Sequence, residues 1–179
     1  MVNRSISRLS LSLLISALSL PAAFADEALD ARVARAKSAA PSAVSDHATV
    51  VVDGKVVVEG NNGWTCMPDT FPGDNMPMCN DAVWMEMLGA MMNKQDFDTK
   101  SIGFSYMLQG DKGAGVSNSD PFHPDPKNAD DYVETGPHMM MIVPRAMLSG
   151  FTDDPSTGGP YVMWKDTPYA HIMLPVDAK

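Results

Sequence analysis

Two short segments hold the residues in this chain best suited to chemistry, His138-Met139-Met140 and His171-Ile172-Met173. Both read H-x-M, and each falls in an apolar run of strand character. Residues i and i+2 of a strand face the same side, so each motif presents an imidazole and a thioether together. Where two such strands pair, directly opposed residues have Cβ atoms about 4.5–5.5 Å apart. On that geometry His138, Met140, His171 and Met173 converge on one ion. Two nitrogens and two thioethers suit Cu(I); they are a poor set for Ca²⁺ or Mg²⁺ and an unusual one for zinc. Met139, Met147 or Met163 can replace one of the four. The plain alternative is a strand core apolar on both faces, with Met standing in for Leu and each His bonding a backbone group.

Other chemistry is harder to find. The run Asp120-Pro-Phe-His123-Pro-Asp125, with Asp130, Asp131 and Glu134 beyond it, sets one His among carboxylates. Such a His can act as a general base or ligate a hard metal, and His123 is the natural fifth ligand candidate. The acids lack EF-hand spacing, and a solvated acidic loop is the simpler account. No G-x-S-x-G, H-E-x-x-H, P-loop or dinucleotide fingerprint occurs. A hydrolase using His123 or His138 as base is therefore the third-ranked reading. Ahead of it stands a small-molecule binding module whose Met- and aromatic-lined pocket, drawing on Trp64, Trp84, Trp164, Tyr106, Tyr161 and Tyr169, is covered by the 109–136 loop.

The segment from 138 to 173 resembles the periplasmic Cu(I) chaperones that carry a His-Met pair and a downstream His-x-Met. Here those are His138-Met139 and His171-x-Met173. A third methionine of that pattern falls near Gly150, where this chain offers Met147 and Met163 on either side. The resemblance implies Cu(I) as the bound ion.

Composition allows both the metal reading and the plain one. Of 15 methionines all but Met1 lie beyond residue 25, where only five Leu and three Ile occur. Thioether sulfur is flexible and polarizable, fit for an adaptable core, and it is also a soft ligand that favours Cu(I). The formal net charge is −9, which argues against binding to nucleic acid or anionic lipid. Residues 1–25 have the form of a secretory signal peptide: Arg4 and Arg8, an apolar run from Leu9 to Leu20, then Pro21 and the exit Ala23-Phe24-Ala25. Removing 25 residues from 179 leaves 154, room for a single domain. The expected location is periplasmic or secreted, with no membrane contact after cleavage. In that oxidising setting Cys66 and Cys79 are expected to form a structural disulfide closing a Pro/Gly-rich loop.

The elements that must position these residues follow from the pattern. Residues 26–45 read as an N-terminal helical arm or linker, its Ala-rich helix-prone run 26–40 ended by Pro41, and 46–179 as one globular α+β domain. Asp53-Gly54 between two Val-rich runs predicts a β-hairpin. Asn80 or Asp81 caps a helix running to about Lys94, with Trp84, Met87, Leu88 and Met91 as a core stripe. Ser101 to Leu108 reads as a strand in which Ile102, Phe104, Tyr106 and Leu108 alternate with smaller or more polar neighbours. Gln109 to Gly136 reads as a long lid or binding loop, or else as disorder. Strands at 137–143, 161–164 and 169–176 complete a mainly antiparallel sheet of five or six short strands with two or three short helices. The expected function is binding of a soft metal ion, Cu(I) by preference, through the paired His-x-Met strands.

Overall fold

A computed structural model describes residues 23–176, so the signal-peptide expectation falls almost wholly outside the described residues. The described residues begin with a helix, α1 (Ala23–Lys37), then a single helical turn, α2 (Ser42–Ser45). The hairpin follows as predicted, β1 (Thr49–Val52) and β2 (Lys55–Val58). Its turn residues Asp53 and Gly54 have φ of 50° and 73°. Positive φ at both positions is the turn whose twist matches that of the flanking strands.

Next come β3 (Thr65–Met67), β4 (Met78–Asn80) and the helix α3 (Ala82–Met92). The Asp81 carboxylate accepts from the Trp84 amide at 2.9 Å and so caps α3. Then follow β5 (Gly103–Met107), the short pair β6 (Val116–Ser117) and β7 (Tyr132–Val133), β8 (His138–Ile142), β9 (Tyr161–Met163) and β10 (His171–Pro175). The main sheet runs β2-β1-β3-β4-β5-β8-β10-β9. Every pairing is antiparallel except β1 with β3. This is one α+β domain with a mostly antiparallel sheet, and no helix of the described residues is long and apolar enough to cross a membrane.

Two expectations are corrected. The main sheet has eight strands where five or six were expected, and β6–β7 form a second small sheet. The extra main strands, β3 and β4, are three residues each and too short to show alternation. Their pairing is set by a covalent bond, since Cys66 and Cys79 are directly opposite in register and joined as a disulfide. Secondly, β5 faces the other way. Gly103, Ser105 and Met107 are buried under α3, whereas Ile102 and Phe104 are exposed. A Cβ at position 103 would lie 2.9 Å from the Val83 side chain, so the face under α3 takes the smaller residues.

The sheet buries both faces. Against one lie α1 and a cluster of small residues with the disulfide: Ala36, Ala39, Val50, Val52, Cys66 and Cys79. The Arg32 guanidinium ties α1 to the hairpin through both Asp53 oxygens at 2.6 Å. On the other face α3 and the 109–136 segment cover a core of methionine and aromatic side chains. That segment is not structureless. Its two ends meet where Gly110 (φ 67°) packs against Gly136, and a Cβ there would sit 2.8 Å from the Gly136 carbonyl carbon.

Candidate functional site

The strands β8 and β10 are neighbours, and their register decides how the two motifs meet. Met140 is directly opposite Met173, while His138 is opposite Pro175. An antiparallel pair runs the two H-x-M segments in opposite directions, so the histidines sit at opposite ends and the methionines meet in the middle. All four side chains lie on the same face, are buried, and line one cavity of about 70 Å3.

Methionine dominates that cavity. Besides Met140 and Met173, the sheet contributes Met78, Met107 and Met163, α3 contributes Met87 and Met91, and the loop before β4 contributes Met76. Of the three substitutes foreseen in sequence, Met163 faces the cavity. Met139 alternates to the opposite face of β8, and Met147 is exposed on a short 3-10 segment. The core stripe Trp84, Met87, Leu88 and Met91 is core as expected, and it is also cavity wall. Met107 carries no signal of its own in the sequence, since the bulkier Phe104 and Tyr106 of β5 alternate to the opposite face. Asp111, Ala114 and Val116 bring the 109–136 segment over the top.

The histidines are prepared in the same way. His138 Nδ1 is 2.7 Å from the Gly136 carbonyl oxygen, and His171 Nδ1 is 2.9 Å from that of Tyr169. A carbonyl oxygen only accepts, so each Nδ1 carries the proton and each Nε2 keeps a lone pair. This is the arrangement by which metal-binding imidazoles are usually oriented. His171 Nε2 is fully buried and has no hydrogen-bond partner among the described residues. Buried polar atoms are seldom left so.

Electrostatics keep both rings neutral. Burial pushes His171 down to about 4, only partly opposed by the hydrogen bond to Tyr169, with His138 lowering it further. Burial likewise holds His138 below the ordinary imidazole range, against its bond to Gly136. Asp111, where the segment crosses the cavity, is raised to about 6 by burial, although the Thr135 amide donates to it at 2.7 Å.

Two indoles close the His171 end. Trp84 and Trp164 meet the imidazole in T-shaped contacts, with ring centroids 5.1 and 5.0 Å away. Trp164 holds φ at 55°, a conformation costing a bulky residue about 1–3 kcal/mol. Its backbone N–H donates to Asn118 O at 2.7 Å and its indole N–H to Ser117 O at 2.9 Å. The 109–136 segment thus pins the indole against His171.

His123 stands apart. It is half-buried in its own turn, where Nδ1 accepts from the Asp125 amide at 3.2 Å, and it does not line the cavity. Its neighbour Phe122 packs edge-on against Tyr169, with Lys94 above the ring. Trp64 and Tyr106 pack against each other at a tilt of 46° near the small-residue cluster, away from the cavity. No serine or threonine hydroxyl is hydrogen-bonded to a histidine among the described residues, and both cysteines are in the disulfide. Nor do three His, Cys, Asp or Glu side chains gather anywhere in them. In comparisons with known proteins, no family model, no curated protein and no solved structure matches the chain.

Proposed function

We propose that this protein binds a soft monovalent metal ion, Cu(I) by preference, in the methionine-lined cavity, and holds or delivers it outside the cytoplasm. The observation that carries the reading is the buried, unpartnered Nε2 of His171 among thioethers. His171 lines the same cavity as eight methionines, so its free lone pair and their thioethers together make a donor set short only of its ion. Thioethers take no proton in the range where proteins fold, and a neutral imidazole is the form that ligates. Carboxylate clusters that would draw hard cations are not part of the set. The protein needs no redox chemistry of its own for this task, only ligands and a dry wall.

Size separates this reading from the runner-up. Pockets for small molecules run to about 300–1,000 Å3. A cavity of about 70 Å3 has room for an ion, or for a ligand of only a few heavy atoms. The covering segment is present as the small-molecule reading requires, but the volume favours the ion.

An anaerobic Cu(I) titration against a chromophoric competitor tests the proposal, with wild type beside His171→Leu and His123→Ala. Wild type and His123→Ala are expected to bind alike, and His171→Leu to lose at least one tight equivalent that wild type binds. No binding by wild type, or equal binding by all three, would overturn it.

A further inference from the structure

The cavity is built twice over. His138 has Met140 two residues on, on the same face of β8, and Met107 directly opposite on β5. His171 has Met173 two residues on, on the same face of β10, and Met163 directly opposite on β9. Each imidazole is held by the same device, Nδ1–H donating to the carbonyl two residues earlier in the chain. Each therefore commands one nitrogen and two thioethers. The antiparallel pairing of β8 with β10 relates the two sets by a local twofold, with Met140 and Met173 facing each other at its centre.

The register also sets the backbones of the two histidines apart. With Met140 opposite Met173, each histidine lies two positions out from the centre in opposite directions, an offset of four residues. At about 3.3 Å per residue that is roughly 13 Å along the sheet. One ion bonded to both imidazoles at about 2 Å each would hold the nitrogens within roughly 4 Å. The Nδ1 hydrogen bonds fix both rings against the long lean this would demand.

We infer that the cavity holds two soft monovalent ions in two like half-sites, His138/Met140/Met107 and His171/Met173/Met163, with the central Met140–Met173 pair between them as the path of transfer. The inference rests on the soft-metal reading above and changes its stoichiometry. The half-sites differ in access. His138 follows Gly136 and Pro137, which line an open groove of about 360 Å3, and Asp111 lines both that groove and the cavity. A carboxylate at this junction draws cations to the His138 end. The His171 end is closed by Trp84 and Trp164. The ion enters at His138 and rests at His171.

Native mass spectrometry with Ag(I), an air-stable stand-in for Cu(I), reads the stoichiometry directly. Wild type is expected to take two Ag(I) per chain, His138→Leu and His171→Leu one each, and the double variant none. One Ag(I) in wild type, lost in both single variants, would overturn the two-site inference and leave a single four-ligand site. One Ag(I) lost only in His171→Leu would overturn it too, leaving His138 structural. No Ag(I) in wild type would sink the soft-metal reading itself. The wild-type count decides between one ion and two even where a variant fails to fold.

Discussion

The two faces of the sheet use sulfur in opposite ways. Under α1 the sulfurs are oxidised and locked: Cys66 and Cys79 are bonded across β3 and β4 and surrounded by Ala and Val. Under α3 they are thioethers, flexible and unbonded, and this face contains the cavity and both buried histidines. Small, branched residues fill space with few rotamers and leave no void. Long, unbranched Met side chains can shift around whatever enters. The α1 face holds the fold rigid, and the α3 face stays adaptable on that support.

The largest effect should come from unlocking the rigid face. Replacing both cysteines by Ala frees a loop spanning a sequence separation of 13. Loops near this length lose about 3 kcal/mol in the chain-entropy model, read as a lower urea midpoint. The folded variant should still bind metal as wild type does. A loss of bound metal equal to that of His171→Leu would mean that the two faces are not independent.

Acid should act on the adaptable face with comparable force. An unfolded imidazole takes up its proton near pH 6.5, but the folded His171 resists until about 4. Between these values the unfolded chain binds more protons, so stability is full above about 6.5 and is lost as the pH falls. Relative to His171→Leu, metal-free wild type should lose on the order of 3 kcal/mol from pH 7 to pH 4 in urea titrations. Asp111 acts in the opposite sense, its contribution being lost as the pH rises toward 6, and it cancels in this difference. A difference flat with pH would mean that His171 is solvated.

Packing tolerance should separate the faces more gently. Val50→Leu adds a methylene where nothing gives, at about 1–3 kcal/mol, whereas Met87→Leu nearly conserves volume beside a void and should cost under about 1.5 kcal/mol. Equal costs would remove the contrast between the faces. Smallest of all, Tyr161→Phe removes the 3.0 Å bond to Thr135 at the start of β8, worth about 1 kcal/mol, and should leave Ag(I) binding unchanged.

Where one face of an element is buried against a single neighbour, the sequence shows it plainly: the Asp53-Gly54 hairpin, the Asp81-capped helix and the two H-x-M strands all lie as their patterns require. Spacing alone brought His138, Met140, His171 and Met173 to one cavity. It did not give their register, which depends on how β8 and β10 dock and not on either strand by itself. β5 misled because bulk suggests burial, yet the α3 side chain Val83 crowds that face until only glycine fits at position 103. β3 and β4 hid in a Pro/Gly-rich stretch because three-residue strands show no period and a disulfide sets their pairing. Of the remaining methionine wall, Met76, Met78 and Met107 were visible only as composition.

Side-chain 15N resonances of the histidines during Ag(I) addition test the central claim most directly. The account predicts that His171 Nε2 moves as the ion binds while its Nδ1, donating to the Tyr169 carbonyl, stays protonated and nearly fixed. An ion that binds and leaves His171 Nε2 unmoved would contradict it.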